Sequence, residues 1–197
     1  MITTRTSGLS TAALILLGLV LGSGSAAVLW LRPVESAPAP SADETSTPII
    51  TPAPAPVVGA TVPLFALARL DGERVDLRAL RGTPLVLNFW ATWCEPCRTE
   101  MPLLQSRYEA GQASGLRVLA IDFDEPEDLV RTFVEDLGLT FDVLLDPGAY
   151  VQGVFRVRGY PTTFFVDARG VIRGHKVGAL EESELDALLA DIGVGAP

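Results

Sequence analysis

The stretch from Phe89 to Glu100 reads FWATWCEPCRTE and holds both cysteines of a 197-residue chain. The run that leads into it, Leu85 to Trp90 (LVLNFW), has the length and unbroken apolar character of a strand buried on both faces. After Cys94 the pattern predicts a helix from Glu95 to about Ala113, with Pro96 in the first turn, where a missing N–H costs nothing. Pro102 falls inside that helix and should kink it. The two thiols therefore sit where a buried strand turns into a helix.

Working outward, strand and helix patterns alternate. Leu67 to Val75 carries Asp71-Gly72 between apolar runs, a hairpin signal. Arg117 to Asp122 (RVLAID) reads as a strand, Glu127 to Leu137 as an amphipathic helix, and Phe141 to Leu145 (FDVLL) as a further strand. A short helix near Ala149 to Phe155, a strand at Thr162 to Asp167, a turn at Ala168 to Gly170, a strand at Val171 to Val177 and a helix from Glu181 to Ile192 complete the pattern. Such alternation implies an α/β sheet with helices on both faces.

The first 57 residues differ in kind. No charge lies between Arg5 and Arg32, and Ala12 to Leu31 gives 20 mostly aliphatic residues, about what a helix needs to cross a hydrocarbon core of ~30 Å. Residues 1–32 are read as a membrane anchor. The rival is a cleaved signal peptide, since Gly22 to Ala27 (GSGSAA) supplies small residues after a Leu-rich core. Against it, Val28 to Leu31 continues the apolar run, and Trp30 beside Arg32 has the character of an interfacial anchor. A lipoprotein is excluded because no cysteine lies near the segment. Arg5 and the amino terminus give a slender positive-inside bias that places everything after residue 32 outside.

Residues 33–57 contain seven prolines among Ala, Ser and Thr, too few large apolar side chains to bury a core. They are expected to be a disordered tether reaching up to roughly 75 Å at ~3.1 Å per residue. Residues 58–197 form the globular domain. The formal charge of −9 argues against a nucleic-acid partner, which would call for a basic face.

A pair of cysteines two residues apart has several physical meanings. Tetrahedral zinc needs four ligands, and the chain offers two cysteines and one histidine, His175. An iron–sulfur cluster fails on the same count. Covalent haem attachment wants histidine directly after the second cysteine, where Arg98 stands. A structural disulfide across so small a loop removes little unfolded-state entropy.

Redox exchange remains. Cys94, at the start of the helix, faces unpaired N–H groups and the helix dipole, which favour a thiolate and make it the attacking sulfur. Cys97, one turn further in, is expected to be more buried and to resolve the mixed disulfide. Glu95 and Pro96 between them tune the couple, the charge of Glu95 opposing thiolate formation.

Trp93-Cys94-Glu95-Pro96-Cys97, together with Gly159-Tyr160-Pro161-Thr162-Thr163, resembles the thioredoxin superfamily over about residues 58 to 193. The resemblance implies a thioredoxin-like fold: a central mixed sheet flanked by helices, with an N-terminal hairpin. It also implies a cis Pro161 against the cysteine pair, and a Tyr160 main chain that bonds an extended substrate. An extra helix-strand pair between Glu125 and Asp146, the approach NFWATWCEPCRTEMP and the anchor narrow the likeness to the membrane-anchored TlpA/ResA branch, which includes cytochrome c maturation proteins.

Two positions depart from plain thioredoxin or add to it. Where thioredoxin carries a buried aspartate, this chain has Asn88, which cannot titrate. Glu100 lies three residues after Cys97 on the same helix face, and the ResA likeness implies that it affects the acidity of the cysteines and carries the resolving thiol's proton. Trp93 is expected to cover the edge of the disulfide, Trp90 to be core, and His175 to be a surface residue. Asp122 and Asp124 at a strand end read as solvated carboxylates, and no metal is assigned.

The expectation is a membrane-tethered, extracytoplasmic thiol-disulfide oxidoreductase of a bacterium that reduces protein disulfides. By resemblance the substrate is an apocytochrome c, and a membrane electron donor restores the dithiol. No cofactor is implied beyond the Cys94/Cys97 couple. The alternatives are an oxidant that inserts disulfides into secreted proteins, a peroxidase of the peroxiredoxin branch, whose Pro-x-x-x-Thr-x-x-Cys context is missing here, and a Sco-like copper chaperone that would need His175 as a ligand.

Overall fold

The computed structural model describes residues 56–195. The anchor predicted within residues 1–32, and the tether apart from its last two residues, lie outside them. Among the described residues no helix is long and apolar enough to cross a membrane.

Seven strands form one mixed sheet. Strands β1 (Ala66–Arg69) and β2 (Arg74–Asp76) make the hairpin that Asp71-Gly72 announces. Gly72 sits at φ 84°, a left-handed conformation that favours glycine. Strand β3 (Leu85–Trp90) is buried along its whole length, as expected of a central strand with both faces covered.

Helix α1 (Glu95–Gly111) leads to β4 (Arg117–Phe123), and α2 (Glu127–Leu137) leads to β5 (Asp142–Asp146). Both crossovers return the chain parallel, so β3, β4 and β5 lie side by side in one direction. A short helix α3 (Tyr150–Phe155), strands β6 (Thr162–Val166) and β7 (Ile172–Val177), and helix α4 (Glu182–Asp191) follow. The sheet order is β2-β1-β5-β4-β3-β6-β7.

Alternation along β3 divides the core. Val86 and Trp90 pack on one face with Cys97, Met101 and Leu104 of α1, Val130 and Phe133 of α2, and Leu185 and Leu189 of α4. Leu85, Leu87 and Phe89 point the other way, onto Val151 and Phe155. Helices do cover both faces, but three lie on one side and only the short α3 on the other. Each fully buried leucine or phenylalanine here contributes roughly 1.5–3 kcal/mol by leaving water.

Element boundaries differ from the sequence reading mainly at ends. Helix α1 stops at Gly111, with a 3₁₀ turn over Gln112–Ser114, and it runs through Pro102 as one helix. Strand β5 begins one residue late. A 3₁₀ turn at Leu77–Leu80, capped by the Asp76 carboxylate on the Arg78 N–H, has no counterpart in the sequence reading.

Candidate active site

The parallel strands β3 and β4 both end on the side of the sheet where α1 begins. Their successive loops hold the chemistry, which is where the carboxyl ends of parallel strands present groups to ligands. Cys94 is the N-cap of α1, and its sulfur accepts from the Cys97 N–H at 3.2 Å. The two cysteines are joined in a disulfide, Cα atoms 5.2 Å apart. Cys97 is fully buried and Cys94 is 5% exposed, the order of burial read from the sequence. Glu95 and Pro96 between them are exposed.

Trp93 stands out from the surface, 63% exposed, edge-on to Phe123 and Tyr160 with ring centroids 6.4 and 5.6 Å away. It forms an aromatic shoulder beside the disulfide. Trp90 is core, packed against Phe133 with ring centroids 4.7 Å apart and the planes tilted by 40°. The Tyr160–Pro161 peptide is cis, and the Pro161 carbonyl accepts from the Gly178 N–H at 2.8 Å. The Tyr160 hydroxyl donates to Gln152 Oε1.

Behind the cysteines lies Glu100, 3% exposed. Its Oε1 accepts from Asn88 Nδ2 at 2.9 Å, and its Oε2 accepts from the Leu180 N–H at 2.7 Å. The Asn88 amide also donates to Thr163 Oγ1 at 2.9 Å. The Asn88 amide, which cannot titrate, thus holds a carboxyl group that can. Burial pushes Glu100 up to about 7, against the two N–H donors, which favour the charged form.

Asp122 corrects the sequence reading. It is fully buried, not solvated, and burial first, then the neighbouring Glu125 carboxyl, pushes it up to about 7. The signal was present: Val118, Ala120 and Asp122 share one face of β4 by strict alternation, and the first two are core. Asp124, which follows at φ 48°, accepts from the Gly148 N–H.

His175 is exposed on β7, stacked on the Phe164 ring at 4.3 Å. Phe164 belongs to the core face opposite Cys94 and Cys97. The sheet therefore stands between the histidine and the thiols, which removes the shared copper ligand set. Among the described residues no group of three or more His, Cys, Asp or Glu could hold a metal ion.

Comparison with known proteins agrees with this geometry. Residues 58–175 match the model of the AhpC/TSA family. The chain is 34% identical over 135 residues to thiol-disulfide oxidoreductase ResA of Bacillus anthracis, covering 68% of this chain and 78% of that protein. It is 37% identical over 134 residues to the thioredoxin-like protein YneN of Bacillus subtilis, covering 66% and 78%. Among solved structures it is similar to StoA from Bacillus subtilis, with TM-score 0.57 and 26% identity over 68% of this chain and 98% of that one. It is also similar to a secreted Mycobacterium tuberculosis disulfide oxidoreductase, with TM-score 0.57 and 26% identity over 64% and 94%.

Proposed function

The chain belongs to the AhpC/TSA family and, within the thioredoxin superfamily, is a ResA-like thiol-disulfide oxidoreductase, and from that premise we propose that it reduces protein disulfides outside the cytoplasm while tethered to the membrane. The observation that carries the reading is Glu100, a buried carboxyl near neutrality on the helix that carries both cysteines.

In the proposed cycle the Cys94 thiolate attacks one sulfur of a substrate disulfide. A Cys94–substrate bond forms, the substrate S–S bond breaks, and one substrate thiolate leaves. Cys97 then attacks Cys94, its proton passing to Glu100, and the second substrate thiolate is released as the Cys94–Cys97 bond closes. The substrate has gained two electrons.

Glu95 and Pro96 tune the couple, and Trp93, with the main chain around Tyr160 and Pro161, receives the extended substrate. The apocytochrome c CxxCH disulfide is the proposed substrate. A membrane reductant regenerates the dithiol, which an oxidising compartment would not supply. The apolar segment of residues 1–32 is the proposed anchor and residues 33–57 the tether of the domain at 58–197.

Cys97→Ser tests the order of attack. With an oxidised CxxCH peptide, the reduced variant should accumulate a covalent mixed disulfide through Cys94 that wild type clears. Accumulation only in Cys94→Ser would reverse the two roles. Peptide left oxidised by wild type, while reduced peptide is oxidised by it, would assign the opposite direction of flow.

A further inference from the structure

The loop between β3 and Cys94 is held by a group the redox cycle does not use. Glu125 takes two hydrogen bonds from Thr92, one from its N–H to Oε2 at 2.6 Å and one from its hydroxyl to Oε1 at 2.6 Å. Thr92 stands two residues before Cys94, so both oxygens of one carboxylate are committed to the approach of the attacking sulfur. Bonds of this kind, with a charged acceptor, are the strong ones.

Asp122 lies directly behind. Its Oδ2 accepts from the Glu125 N–H at 3.0 Å, and its Oδ1 is buried with no partner. A fully buried carboxyl with an unpartnered oxygen, beside the Glu125 side chain, favours its protonated form, because burial leaves its charge poorly solvated and a neighbouring like charge repels it.

We propose that Glu125 is a positioning residue for Cys94, clamping the loop through Thr92, and that Asp122 is the proton-dependent latch that keeps Glu125 in place. When Asp122 loses its proton, its carboxylate repels that of Glu125. Glu125, nearer the surface, is the one free to swing away, and Thr92 loses its acceptors.

Among the described residues no Lys, Arg or His forms an ion pair with Asp122 or Glu125. From the end of β5, Asp146 is acidic, and its carboxylate is occupied by the N–H groups of Val151 and Gln152. From the Pro161 loop, Tyr160 is pushed up to about 12, by burial first and then by Asp146 and Asp122. From α3, Gln152 donates to the Asp122 carbonyl at 3.1 Å. Asp124 on the same loop is engaged by Gly148. From α2, Glu127 pairs with Arg131, and Phe133, packed against Trp90, carries the Arg98 guanidinium of α1 over its ring at 4.9 Å.

The proposal rests on the reading of Cys94 as the attacking thiol, but its test does not require turnover. Hydrogen exchange of the Thr92 amide, in the oxidised full chain, reads the clamp itself. After correction for intrinsic base catalysis, protection should fall about tenfold or more from pH 6 to pH 8, as expected when a bond to a charged acceptor is lost.

Asp122→Asn keeps the acceptor for the Glu125 N–H and removes the titration, so protection should stay high at both pH values. Glu100→Gln should retain the wild-type loss. Thr92→Val, which deletes the hydroxyl donor, should lower protection at pH 6. Constant protection in wild type, or the same loss in Asp122→Asn, would overturn the latch. If instead the Cys94 assignment fails, the Cys97→Ser trapping result changes while the Thr92 amide still titrates.

Discussion

At Glu100, burial and hydrogen bonding pull in opposite directions, and burial wins, leaving the carboxyl near 7 against an ordinary 4.5. The folded chain therefore holds a proton between about pH 4.5 and 7 that the unfolded chain has released. Linkage then makes stability fall as pH rises through that window. Glu100→Gln should flatten this slope in denaturant titrations at pH 5, 6 and 7, and a slope unchanged by the substitution would place the proton elsewhere. In an Asp122→Asn background, which removes the other carboxyl that titrates near 7, the same substitution should remove an inflection near pH 7 from the exchange rate, because a glutamine accepts no proton from Cys97; a retained inflection there would contradict the shuttle. The thiols and Glu100 were legible in the sequence because their spacing is local to one helix. Asn88 was legible only as a loss: that its amide would hold Glu100 depends on a contact across 12 residues between strand and helix.

At the scale of elements, β3 and α1 could be drawn from the sequence nearly to the residue. The apolar run of β3 is unbroken, and Cys94-Glu95-Pro96 marks a helix start. The far end of α1 was less legible. There the chain turns on Gly111, whose carbonyl accepts from the Leu116 N–H at 3.1 Å. A Cβ on Gly111 would stand 2.6 and 2.9 Å from the Cδ2 and Cβ of Leu116. With φ −83° the glycine is needed for close approach rather than for a left-handed backbone. Gly111→Ala should then cost about 1–3 kcal/mol by overpacking, read as a lower denaturant midpoint with the cysteines still reactive. A neutral result would mean that the α1–β4 junction opens easily. The clamp from Glu125 to Thr92 was invisible because it joins two loops 33 residues apart. Only the parallel pairing that sets Trp90 level with Asp122 brings those loops together.

Over the whole molecule, one sheet separates two cores and assigns them different work. The face carrying α1, α2 and α4 holds the disulfide and Glu100, with Asp122 on the same side by the alternation of β4, while the opposite face packs the aromatic cluster of Phe89, Phe155 and Phe164. Reactive groups thus gather at one end of one face, with Trp93 exposed beside them. Glu95 beside Cys94 and the buried Glu100 on the same helix put carboxyls close to the thiols, and their negative charge opposes thiolate formation. That favours the disulfide state of the enzyme over its dithiolate, the condition of an electron donor. The central claim is direction of flow, and the most direct test is the midpoint potential of the Cys94/Cys97 couple in the full chain, equilibrated at pH 7 in defined thiol buffers. A reductase requires a value near that of thioredoxin, about −270 mV, or lower. A value toward about −120 mV, that of a strong oxidant of secreted proteins, would contradict the account.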